Sequence, residues 1–229
     1  MMRRLAGPLL IGLLGCAVLI GLGIWQVQRL AWKEALLAEI AAKLAAPAGG
    51  LPPPGAVAAD PDAWRYTPVR VAGRTTGEDV LVISGMKGVG PGYQVIAAFA
   101  TDGGRRILID RGFLPEALRG RPRPPVALEL AGNIHWPREA DGYTPEPDLA
   151  NRLWFARDVA GIAAFLNTEP LLVVAAEPGG DAQAIEPVPL GTDGIPNDHL
   201  QYAITWFSLA VVWAGMTGWW LWRIRRQGS

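Results

Sequence analysis

The chain has 229 residues, half of them apolar, with 21 Lys plus Arg balanced by 21 Asp plus Glu, and ten tryptophans. That length allows one domain plus membrane segments, and a neutral balance without a basic block leaves no electrostatic footprint for nucleic acid. Cys16 is the only cysteine, so neither a disulfide framework nor a cysteine-based metal site can be built within one chain.

Arg3 and Arg4 precede Leu5 to Trp25, a run of 21 residues with no charge. The run is long enough to cross the roughly 30 Å hydrocarbon core as a helix. A cleaved signal peptide has a shorter apolar stretch ending in small residues, whereas this one ends at Trp25 and Gln26. Leu13-Leu14-Gly15-Cys16 is similar to a lipoprotein cleavage box, but apolar and small residues continue after the cysteine. Length therefore favours an uncleaved signal-anchor helix, with the two cleaved readings as alternatives.

From Val27 to Leu44 the chain keeps helical character, with Leu30, Ala31, Glu34, Leu37, Ala38 and Ala41 able to share one side. Ala46 to Pro61 is rich in proline and glycine and reads as a linker. Beyond Arg65 the period shortens. Pro68 to Arg74, Val80 to Ser84, Tyr93 to Ala100, Arg106 to Gly112, Val126 to Gly132 and Pro170 to Ala176 read as strands bounded by Gly, Pro or Asp. Arg157 to Leu166 reads as a short helix with Asp158 in its first turn, where the dipole favours negative charge. Consecutive strands with one late helix predict a mostly antiparallel α+β unit or small barrel.

Tyr202 to Trp222 is a second charge-free run of 21 residues, followed by Arg223, Arg225 and Arg226. No Lys or Arg occurs between Arg157 and Arg223, and that asymmetry places the C-terminus in the cytoplasm. Parity then puts both termini there and the intervening chain outside, in the periplasm of a bacterium. The predicted fold is a membrane protein with two transmembrane helices flanking a periplasmic α+β domain. Its segments are a first transmembrane helix over 5–27, a helical extension and linker over 28–64, the domain over 65–195, a second transmembrane helix over 197–222 and a basic tail over 223–229. The expected location is the bacterial inner membrane, with lipid as a partner and no nucleic acid.

His199 and His135 are the only histidines. At helical spacing His199, Tyr202, Ala203 and Trp206 share a face at the outer membrane surface. An imidazole there can ligate haem iron while aromatic neighbours pack the macrocycle. It can equally be an interfacial histidine bonded to lipid headgroups, and pattern alone favours that plainer reading. His135, just past a predicted strand, reads as a solvated loop residue, because no second His or Cys stands at ligand spacing. Asp110-Arg111 reads as a structural ion pair, worth little if exposed. Gly88 to Gly92 lacks a following Lys-Ser/Thr and leads into a strand, so it fails as a phosphate cradle. Cys16 reads as a small apolar filler. Among the carboxylates, none forms a motif with a nucleophile or second base, so no enzyme is expected.

Four stretches carry a resemblance: Leu22-Gly-Ile-Trp25-Gln26-Val-Gln-Arg29-Leu-Ala-Trp32-Lys33; Gly92-Tyr93-Gln-Val-Ile with Ile107-Leu-Ile-Asp110-Arg111-Gly112-Phe113-Leu-Pro115; Trp154-Phe155-x-x-Asp158; and Asn197-Asp198-His199-Leu200-Gln201-Tyr202-Ala203-Ile-Thr205-Trp206-Phe207. Together, in this order, they resemble the Surfeit-locus-one family of membrane factors that assemble haem-copper cytochrome oxidases. The chain departs from the family pattern at Asp110 (usually Asn), Phe113 (usually Trp) and Asp198 (often Asn). The resemblance implies a non-catalytic protein that transiently binds haem a and aids its placement in oxidase subunit I. It implies His199 as axial ligand of the haem iron, with Trp206 and Tyr202 beside the pigment. Subunit I is the implied partner, and the enzyme that makes haem a is a second candidate. Trp25 and Trp32 are expected as an opposite wall. The competing classes are a scaffold that never touches haem and a membrane-anchored enzyme.

Overall fold

The computed structural model describes residues 2–178 and 183–227. It divides the chain into two units, Met1–Glu39 with Thr192–Ser229, and Ile40–Gly191. Gly228 and Ser229, the end of the predicted basic tail, lie outside the described residues.

The first unit is built from two helices, each long and apolar enough to cross a membrane. Helix α1 runs over Met2–Leu44 without a break, so the predicted membrane run and its helical extension are one rod. Helix α5 covers His199–Gln227 and ends on Arg225 and Arg226, where cations complement the helix dipole. The two are antiparallel neighbours whose seam is made of small residues. A Cβ at Gly12 would run into Thr217, one at Gly15 into Trp213, and one at Gly23 into Phe207. Glycine at these positions lets the helices approach closely, as packing between apolar helices in lipid requires. The Trp213 indole donates to the Gly12 carbonyl at 3.2 Å, and Cys16 Sγ lies 3.9 Å from the Ala210 carbonyl, so the cysteine is a seam residue. Leu13, Leu14, Val211 and Val212 are among the large apolar residues turned outwards, the pattern expected of helices whose solvent is acyl chain.

The second unit is a mixed sheet with short helices on it. Its strands are β1 (Pro68–Met86), β2 (Gly90–Thr101), β3 (Arg106–Pro115), β4 (Ala127–His135), β5 (Leu153–Trp154) and β6 (Leu172–Ala175). β1 pairs with β4 through residues 68–74 and with β2 through 73–86, so β1, β2, β3, β6 and β4 close into a ring with β5 on the side of β1. The β1–β5 and β3–β6 pairings are parallel; β1–β2, β1–β4, β2–β3 and β4–β6 are antiparallel. The two predicted strands at 68–74 and 80–84 are one strand. The Thr-Thr-Gly-Glu stretch between them is a register shift rather than a turn, with Gly77 at φ +83°.

β3 is buried along nearly its whole length, as a strand covered on both faces must be. Ile107 and Ile109 face a core with Val69, Phe99, Leu130 and Val173. Leu108 faces another with Val82, Ile96, Trp154 and Ile162, which α4 (Val159–Leu166) covers. Asp158 is the N-cap of α4, accepting from the Gly161 amide at 3.1 Å, so the helix begins at Val159, two residues later than the predicted Arg157. The proline-rich stretch 46–61 is not a bare tether: it carries α2 (Ala56–Ala59), leads directly into α3 (Pro61–Trp64), and sends Val57 into the first core. The 3₁₀ turn Glu116–Leu118 follows β3.

Candidate functional site

α5 starts at the residue of greatest interest. The Tyr202 amide bonds the Asp198 carbonyl at 3.1 Å and closes the first turn around His199. Along α5, His199, Ala203, Trp206, Ala210, Trp213 and Thr217 recur at alternating steps of four and three, the spacing of one helix face. Ala203 and Ala210 are buried on that face. On α1 the matching positions are Gly12, Cys16, Gly23 and Gln26. At the end of the seam the small residues give way to two polar side chains that meet across it. His199 Nδ1 and Gln26 Oε1 are 2.8 Å apart. With the amide turned so that its oxygen faces the ring, that oxygen can only accept, and the pairing assigns the proton to Nδ1.

Gln26 is 8 % exposed although the Trp25 and Val27 side chains beside it face outwards. A buried amide without a partner costs roughly 1–3 kcal/mol, and a hydrogen bond between membrane helices is worth about 1 kcal/mol. The pair therefore closes the seam and gives the Gln26 oxygen its partner. It does not satisfy His199 fully: with Nδ1 protonated, Nε2 keeps its lone pair. Two residues upstream the side-chain oxygen of Asn197 is shielded and has no hydrogen-bond partner.

The other residues expected at this site are distributed unevenly. Trp206 shares the seam face with His199 and is half-buried, whereas Tyr202 is 55 % exposed and sits on the flank. Trp25 and Trp32 are each about half exposed, and the Arg29 guanidinium covers the Trp32 ring at 3.9 Å. Neither tryptophan is drawn into the seam. Sequence reading missed Gln26; the one available signal was an amide ending an otherwise apolar run.

The sheet unit holds a different kind of polar cluster. Asp110 on β3 is 1 % exposed, accepting from the Gly112 amide at 3.0 Å and lying 3.4 Å from Arg157 Nη1. Arg157 also donates through Nε to Glu139 at 2.9 Å. Arg111 does not pair with Asp110; it too is buried, and it donates to Gln183 at 2.9 Å. Adjacent residues of a strand point to opposite faces, so the expected Asp110–Arg111 ion pair does not form. Burial pushes the Asp110 carboxyl up to about 6, against the pull of Arg157 and the Gly112 amide. His135 is no solvated loop residue. It ends β4, stacks on Tyr66 at 5.9 Å, and has a shielded Nδ1 without a partner. Burial pushes its pKa down to about 4, assisted by Arg157 and Arg65, so the ring is neutral at neutral pH. Gly112, at φ +116°, has no room for a Cβ, which would meet the Glu186 carbonyl where Glu186 pairs with Phe113. Trp154 is a core residue and Asp158 a helix cap, so two members of the Trp154-Phe155-x-x-Asp158 stretch serve the fold.

Among the described residues no three His, Cys, Asp or Glu side chains converge to hold a metal ion. One imidazole is too small a donor set for a bare ion, which wants about four protein ligands in a closed site. It suffices for iron that brings its own equatorial nitrogens.

The family model of the SURF1 family matches residues 13–211, which run from the α1 seam through the sheet unit to the middle of α5. The chain belongs to the SURF1 family. It is 31 % identical over 219 residues to Surfeit locus protein 1 of Xenopus tropicalis, covering 82 % of this chain and 67 % of that one. A SURF1-like protein of Rickettsia felis is 29 % identical over 88 % of this chain and 91 % of its own. A SURF1-like protein of Monosiga brevicollis is 30 % identical over 93 % and 85 %. The SURF1 family match covers residues of both units.

Proposed function

We propose that the protein is an assembly factor for haem-copper cytochrome oxidase, binding haem a at the periplasmic surface of the inner membrane and aiding its insertion into subunit I. The observation that carries this reading is the imidazole of His199, paired through Nδ1 with Gln26 at the end of the helical seam. Membership of the SURF1 family supports the assembly role. Haem supplies four equatorial nitrogens and an iron that takes axial ligands. The chain's own residues then have limited tasks. His199 Nε2 would bind the iron, Trp206 would offer an aromatic flank, and Tyr202, exposed beside them, would be a further edge for the pigment. The outward-facing apolar side chains of both helices would suit a pigment with a long apolar tail arriving from lipid. A single protein ligand also suits a cargo that must leave again. No acid–base or nucleophilic constellation is needed for this, and the role is non-catalytic.

The placement rests on the arginines that close α5, which favour a cytoplasmic C-terminus and a periplasmic His199. The test is complementation. In cells lacking the gene, the wild-type chain should restore haem a in the oxidase, and His199→Ala, present at equal level in the membrane, should not. Full restoration by the alanine variant would favour a scaffold that holds subunits without touching haem. Reporter fusions at the two ends of α5 check the orientation, and a cytosolic His199 end would contradict the reading.

A further inference from the structure

We infer that Gln26 is a positioning residue for the iron-binding nitrogen: its side-chain oxygen fixes the His199 ring in the Nδ1-protonated tautomer and thereby makes Nε2 the ligand. The inference rests on the haem-binding reading of His199 and deepens it. Gln26 and His199 stand on different helices, 173 residues apart in sequence, and meet at 2.8 Å. Among the described residues Gln26 is the only polar side chain buried in the two helices. A seam built for close packing alone would continue the run of Gly12, Gly15 and Gly23 or place an apolar residue there.

The chemistry of the acceptor matters. An imidazole that is to bind iron through one nitrogen needs the other protonated and held, since a rotating or wrongly protonated ring presents N–H to the metal. A carboxylate would hold the proton more strongly and push electron density to the iron, but it would bring a charge to the edge of the bilayer. An amide holds the same proton without charge. It orients the ring without adding a charge beside it.

Nitrogen-15 NMR of the ring-labelled full chain in nanodiscs, free of pigment, reads the tautomer directly, with His135→Phe assigning the second histidine. The wild type should show His199 protonated on Nδ1. Gln26→Leu, nearly isosteric, should return the ring to the Nε2-protonated form that dominates in free histidine. After co-expression with the haem a biosynthetic enzymes, Gln26→Leu should bind haem roughly tenfold or more weakly. Gln26→Glu should restore the pigment, with a more negative midpoint potential than the wild type. An unchanged tautomer in Gln26→Leu, or wild-type haem content and potential in both variants, would overturn the role of Gln26. If His199→Ala stays colourless in the same series, the ligand reading survives that failure. If His199→Ala keeps full pigment, the underlying reading fails instead. Should Gln26→Leu not accumulate, the potential of Gln26→Glu decides, and a value equal to the wild type overturns the inference.

Discussion

The helical unit and the sheet unit each contain one histidine, and the two are handled in opposite ways. In the sheet unit His135 is half-buried beside Tyr66, near a network in which Arg157 joins Asp110 and Glu139. Its Nδ1 is shielded and unpartnered, and burial drives its pKa down to about 4. In the helical unit His199 is set among residues that face lipid, and its Nδ1 is paired with a neutral amide. A closed protein interior can carry charge because fixed partners surround it. A helix seam in lipid has few partners to offer, so the pairing is neutral and involves one ring nitrogen only. The proposed binding site therefore lies at the ring held by a neutral partner rather than at the richest cluster of charges.

The strongest perturbation of the sheet side of this contrast is Arg157→Met. It leaves Asp110 buried without its cation, and breaking such a pair should cost about 3 kcal/mol at pH 7.5. The loss should shrink as the pH falls towards 5, because Asp110 then takes up a proton. Thermal unfolding of the full chain in detergent at both pH values checks this, and a pH-independent loss would mean that Asp110 is not the group left stranded. Pigment per folded molecule should not change.

Asp110→Asn is a gentler probe. The folded carboxyl has a raised pKa, so its contribution is fully present below the unfolded value near 4 and is lost as the pH rises through about 6. His135 has a depressed pKa, so its contribution has the opposite slope, growing as the pH rises from about 4 to 6.5. Removing the carboxyl should therefore leave a variant whose stability gains on the wild type across pH 4–6, by on the order of 1–3 kcal/mol. Parallel curves for the two proteins would contradict the assignment.

How much of this the sequence shows depends on whether the signal is local. Charge-free runs mark both membrane helices, and alternation marks most strands, because each is written in neighbouring residues. β1 is split in the sequence reading, since Thr75 to Glu78 has turn composition yet only shifts register. β5 escapes because two residues carry no period. The polar pairs are the least legible. Asp110 and Arg157 are 47 residues apart, Gln26 and His199 are 173 apart, and only the folded chain joins them. His135 illustrates the same limit: a histidine past an apolar strand reads as a loop residue until Tyr66 is stacked on it.

The smallest expected effect is that of His135→Phe. The aromatic ring keeps the stack on Tyr66, so stability should change by no more than about 1 kcal/mol, and haem content should stay at the wild-type level. A fall in pigment in this variant would move the site into the sheet unit.

The most direct measurement is the visible spectrum of the purified full chain after co-expression with the haem a biosynthetic enzymes, taken for wild type, His135→Phe and His199→Ala together. A bound haem a band in the first two and its absence in the third is the predicted result. Equal bands in wild type and His199→Ala would contradict the assignment of the seam histidine as the iron ligand.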